Sequence, residues 1–171
     1  MKIYELLLLV IKYMQDEEGG VRGENYLQSL VYFLSSFSKT KNKLQSTKYA
    51  NYYYGPYSSE LNLGLEELKE VGLVGKTTDT HINSNLGIDS ASKLYKYELT
   101  RMGIQVAENI EKQNPKTAEL IEEYLEKITK LSSSCGNIKK KEVTREAQNI
   151  GLYLSNTDAT ITCQSLNGMG A

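Results

Sequence analysis

The chain has 171 residues, with 20 Lys and Arg against 21 Asp and Glu, and 40% of it is apolar. That length supports one domain with a proper core, and the charge balance excludes a chain that is basic throughout. Cys135 and Cys163 lie far apart with no Cys-x-x-Cys spacing, which excludes a disulfide framework and a zinc pattern but leaves a single bridge open.

The start, "MKIYELLLLVIKYM", imitates a signal peptide, but Glu5 and Lys12 bracket an apolar run too short to span a bilayer. Ile3, Leu6, Leu7, Val10, Ile11 and Met14 instead share one helical stripe. The pattern predicts a core-facing helix over Lys2–Gln15 in a cytoplasmic protein, ended by "DEEGG". A second helix is expected over Glu24–Phe37, with Leu27, Leu30, Val31 and Leu34 facing the core.

A polar segment with Lys39, Lys41, Lys43 and Lys48 follows. Tyr49–Tyr54 then reads as a half-buried strand, because aromatic residues suit a pleated surface. Gly55-Pro56 is expected to end it. Ser58 is placed to cap the next helix, whose stripe is Leu61, Leu65 and Leu68 extended by Val71, with Gly72 at its C-terminal end. A strand near Leu73–Thr77, a long polar loop and a return strand near Lys93–Leu99 have the look of a wing.

Thr100 is expected to cap a helix over Arg101–Gln113, and Pro115 separates it from one over Pro115–Leu131. The latter carries the cleanest amphipathic pattern, from Leu120 and Ile121 to Leu131. A last helix is predicted over Lys139–Leu154, and a poorly ordered tail at 156–171. The organisation expected is a winged-helix-like domain at 1–113, a helical extension at 114–155 with possible dimerisation helices, and the tail.

This order resembles a winged helix-turn-helix domain with additional C-terminal helices, in an α+β, mostly α, class. "YELTRMGIQVAENI", a strand running into Leu-Thr-x-x-Gly and a helix, resembles PadR-like regulators. Over Tyr26–Val74 a narrower likeness appears. "YLQSLVYFL" and "YYYGPYSSELNLGLEELKEVGLV" resemble the YwgA-like family and the related Panacea (SocA-type antitoxin) domains. Leu27, Gln28, Leu30, Val31 and Tyr32 match the family's first helix, and Gly55, Pro56, Tyr57 and Ser58 match its turn. The sequence departs at Ser29, where the family has lysine. The resemblance implies a regulatory or interaction module, of the kind that neutralises or adapts a partner protein, rather than an enzyme.

Catalytic patterns do not stand out. His81, the one histidine, sits on the wing loop without a recognisable partner, and there is no P-loop, GxGxxG or HExxH. Glu17-Glu18, Glu66-Glu67 and Glu122-Glu123 are adjacent on helices and diverge by about 100°. The expectation is a protein that is not an enzyme and needs no cofactor, metal or membrane.

Two functions remain. The first is a DNA-associated transcriptional regulator, paired as a homodimer. Lys39, Lys41, Lys43 and Lys48 would contact phosphate, Ser58, Ser59 and Asn62 would sit near the groove, and Lys76, Lys93 and Lys96 would make wing contacts. Against it stands the net charge of the helix after Ser58, four glutamates to one lysine. The second is an antitoxin- or adaptor-type module that binds another protein without reading DNA.

Overall fold

The structure is a computed structural model and describes residues 1–37, 48–52, 55–79 and 94–135. The helix expected at Lys139–Leu154, the tail, His81 and Cys163 lie outside the described residues, and with them any Cys135–Cys163 bridge.

Five helices are described: α1 (Ile3–Glu18), α2 (Glu24–Phe37), α3 (Ser59–Glu70), α4 (Arg101–Gln113) and α5 (Pro115–Cys135). Five strands accompany them: β1 (Val21–Arg22), β2 (Ala50–Tyr52), β3 (Gly55–Tyr57), β4 (Val74–Asp79) and β5 (Leu94–Leu99). They form an antiparallel three-stranded sheet in the order β1-β5-β4 and a separate β2-β3 hairpin. The described chain is therefore α+β and mostly helical.

α1 is the centre. Leu6 to Ile11 and Met14 are all buried, so Leu8 and Leu9, off the expected stripe, are interior as well. A helix that is apolar all round needs neighbours on every side, and α1 packs against the other four helices, β1 and β5. It runs to Glu18 rather than Gln15, because the acidic residues before Gly19 do not break a helix. Gly19 ends it, donating its amide to the Gln15 carbonyl at 3.1 Å.

β1 was not expected from the sequence, since two residues between glycines carry no period-2 signal. Val21 lies opposite Tyr97 and Arg22 opposite Lys96. The hairpin differs from expectation as well. Gly55-Pro56 does not end the tyrosine strand but begins its return, with Ala50 opposite Tyr57 and Tyr52 opposite Gly55. Proline's fixed φ suits a strand at a sheet edge, where its missing N–H breaks no ladder.

α3 starts and stops as the sequence indicates. The Ser58 hydroxyl accepts from the Leu61 amide at 3.4 Å. At the other end Gly72 has φ 76°, its amide donates to Lys69 O and that of Leu73 to Leu68 O, the paired closure of a Schellman end. Leu61, Leu65 and Leu68 are buried. Val71, expected to extend this stripe, is 60% exposed: it is the last residue in helical geometry, and Gly72 after it turns the chain towards β4.

The Leu-Thr-x-x-Gly segment has a physical explanation. The Thr100 hydroxyl accepts from the Gly103 amide at 3.1 Å and donates to Gly72 O at 2.7 Å, while the Thr100 amide donates to Leu73 O at 3.0 Å. A Cβ on Gly103 would collide with that Leu73 carbonyl. The cap of α4 and the end of α3 are thus one joint, closed only by glycine.

α5 extends to Cys135 and lies in the same core as the rest. Ile121, Tyr124, Leu125, Ile128 and Leu131 are buried against α1, α2 and α4. The stripe, which the sequence left open either to pair two copies or to close the chain's own core, is therefore packed within the chain.

Candidate functional site

The surface singled out by the sequence comprises α3, the turn before it and the β4-β5 pair. Gln28, from the middle of α2, fixes the entry to α3. Its Oε1 accepts the Ser58 amide and its Nε2 donates to the Ser58 carbonyl, both at 3.0 Å and both buried. One side-chain amide thus satisfies both backbone groups of a residue that ends a strand and caps a helix. The stretches around Gln28 and Ser58, 30 residues apart in the chain, are joined by this clasp. Ser29 next to it is 1% exposed, so a lysine at that position would have to bury its ammonium group.

This places Ser58 differently from expectation. It is 1% exposed, its hydroxyl serves the cap and its backbone serves Gln28, so it is not available to a groove. Ser59 is exposed one residue on. Asn62 is half-buried, and its Oδ1 is buried without a hydrogen-bond partner.

Lys48 is exposed ahead of β2, while Lys39, Lys41, Lys43 and Lys93 lie outside the described residues. Lys76 is opposite Tyr97 in the β4-β5 register and its Nζ sits 3.7 Å from the centre of the Tyr95 ring, a cation–π contact. Lys96, the strand neighbour of Tyr97, belongs by alternation to the other face of the sheet, where its Nζ pairs with Glu98 at 2.7 Å. The two described wing lysines therefore lie on opposite faces of the sheet.

Lys76, itself exposed, lies in the field of the Glu24 carboxylate. Burial, and then Glu66, push the Glu24 carboxyl above its ordinary range against the pull of Lys76 and Lys69. Lys69 is held by Glu66 at 2.6 Å.

The outer face of α3 is what remains. Ser59, Glu60, Leu63, Glu67 and Glu70 are exposed, Leu63 to 61%. Residues 60, 63, 67 and 70 follow helical spacing and form one strip. It is acidic, with an apolar side chain in its middle. The charge of this helix is legible in the sequence, but Leu63 as an exposed feature is not, since a leucine among leucines at 61, 63, 65 and 68 stands out only by its phase.

Among the described residues no group of three or more His, Cys, Asp and Glu is placed to hold a metal ion. None of the described helices is long and apolar enough to cross a membrane. No protein-family model matches the chain, and no curated protein matches it significantly.

Proposed function

We propose that the chain is a non-enzymatic module of winged-helix type that acts by binding another protein through the outer face of α3. Three features support the winged-helix part: the order α1, β1, α2, α3, β4, β5, the sheet order β1-β5-β4, and the packing of α3 on α1. In that architecture α3 is the helix presented to a partner. The β2-β3 hairpin between α2 and α3 is an addition to it, and the Gln28 clasp makes it rigid with the start of α3.

One observation carries the choice of partner, the strip of Glu60, Leu63, Glu67 and Glu70. Three carboxylates held towards a duplex would be repelled by its phosphates. Facing a basic protein surface the same groups attract, and Leu63 supplies the apolar contact that groove phosphates do not use. The likeness to Panacea-type antitoxin domains points the same way. The other reading is a DNA-associated, homodimeric transcription regulator, and exposed Lys48 and Ser59 favour it. It would have to pair copies through a surface other than the buried stripe of α5.

Fluorescence anisotropy of a labelled mixed-sequence duplex separates the two. No saturable binding tighter than about 100 μM is expected at physiological salt, the weak end of non-specific binding there. Micromolar or tighter binding that falls steeply with salt and weakens in Lys48→Ala would replace it with the DNA reading.

A further inference from the structure

On the side of α1 turned away from α3, a cavity of about 340 Å³ opens between α1, the end of α4 and the first turns of α5. Ile3 and Leu7, the α1 residues nearest Gly64 of α3, lie across the helix from the lining residues Leu9, Lys12, Tyr13 and Asp16. Its volume is in the range of small-molecule sites, which combine an apolar surface with a few placed polar groups. Leu9, Pro115, Ala118 and Ile121 supply the apolar part.

The polar part is mostly acidic. Asp16, Glu111, Glu119 and Glu122 line the cavity, and Lys12 is the one lining cation among the described residues. Lys12 already serves two of them, with Nζ 3.1 Å from Glu111 and 3.6 Å from Asp16. Glu119 and Glu122, one turn apart on α5, have no ion-pair partner among the described residues. The Tyr13 phenol reports the same field: burial first, then Glu17, Glu126, Glu122 and Glu18, raise its pKa to about 12, so it stays a hydrogen-bond donor.

An anion is repelled here. A bare metal ion would leave the apolar wall unused. A neutral apolar molecule would cover the carboxylates without pairing them, at a desolvation cost. We propose that this cavity binds a small organic cation, an alkylammonium whose chain lies on Leu9, Ala118 and Ile121 and whose head group pairs with Glu119 and Glu122. The site is independent of what α3 binds.

Isothermal titration of the full chain with hexylamine, ethylamine and hexanoate tests it. Hexylamine is expected to saturate at one site, with ethylamine and hexanoate weaker by about tenfold or more. The double variant Glu119→Gln, Glu122→Gln changes only exposed side chains, so it keeps the native thermal midpoint while weakening hexylamine by about tenfold or more. Ala118→Phe, which fills the cavity, removes hexylamine binding. The proposal is overturned if hexylamine does not saturate, if hexanoate binds equally well, or if the double variant binds hexylamine like the native chain.

Discussion

Gln28 shows how much one buried side chain can fix. It is 1% exposed and reaches from α2 to the residue that starts α3, so it sets the position of the proposed binding helix without touching a partner. Truncation would leave a buried N–H and a buried C=O unpaired. Gln28→Ala should therefore cost about 2–6 kcal/mol, about one to three per orphaned group. Chemical denaturation measures it, and a loss under about 1 kcal/mol would mean that water or a backbone shift replaces the clasp. The sequence displayed the residue within a likeness but not its role, because its partner is a backbone 30 positions away. Gly103 is similar. The Leu-Thr-x-x-Gly spacing was legible, whereas the carbonyl that forbids a Cβ there belongs to Leu73, at the end of another helix.

Elements with strong local signals were legible. α2 and α4 have the bounds their apolar periodicity gives, and Ser58, Thr100 and Gly72 do what their chemistry favours at helix ends. Elements whose existence depends on a distant partner were not. β1 is two residues held by β5, and β3 contains the proline that reads locally as a terminator. For α5 the pattern gave the buried face but not what covers it, since an apolar stripe is the same whether it meets its own chain or a second copy. The structure answers with α1, α2 and α4. Leu125, with no exposed surface, should cost about 2–5 kcal/mol when changed to alanine. The thermal midpoint of that variant, like that of the native chain, should not change over about a tenfold range of protein concentration. A midpoint that rises with concentration would place the stripe between chains.

At the scale of the whole molecule, one core built around α1 carries both proposed surfaces, α3 on one side and the cavity on the other. Its tyrosines make that core sensitive to alkali. Burial, followed by Glu24, Glu66 and Tyr95, raises Tyr97 from 10.0 to about 12, and Tyr13 is raised to about 12 as well. Burial also raises Tyr49, whose ring packs edge-on against Tyr32 at 5.1 Å. A group with its folded pKa above the unfolded one stabilises the fold fully below the unfolded value and loses that contribution as pH climbs to the folded one. Stability should therefore hold up to about pH 10 and fall between about 10 and 12, with tyrosinate absorbance rising in step. An unchanged midpoint across that window would show these phenols to be freely solvated. The sequence counted the tyrosines but could not sort buried from exposed ones, because Tyr95 and Tyr97 look alike until the sheet assigns each its neighbours.

The central claim is that the outer face of α3 meets protein. A photo-crosslinking side chain in place of Leu63, compared with one at Glu123 on the solvated face of α5, tests it most directly in cells of the native host. A discrete protein adduct is expected from position 63, absent from position 123 and lost when Glu60, Glu67 and Glu70 are changed together to lysine. Nucleic-acid adducts from position 63, or the same adducts from both positions, would contradict it.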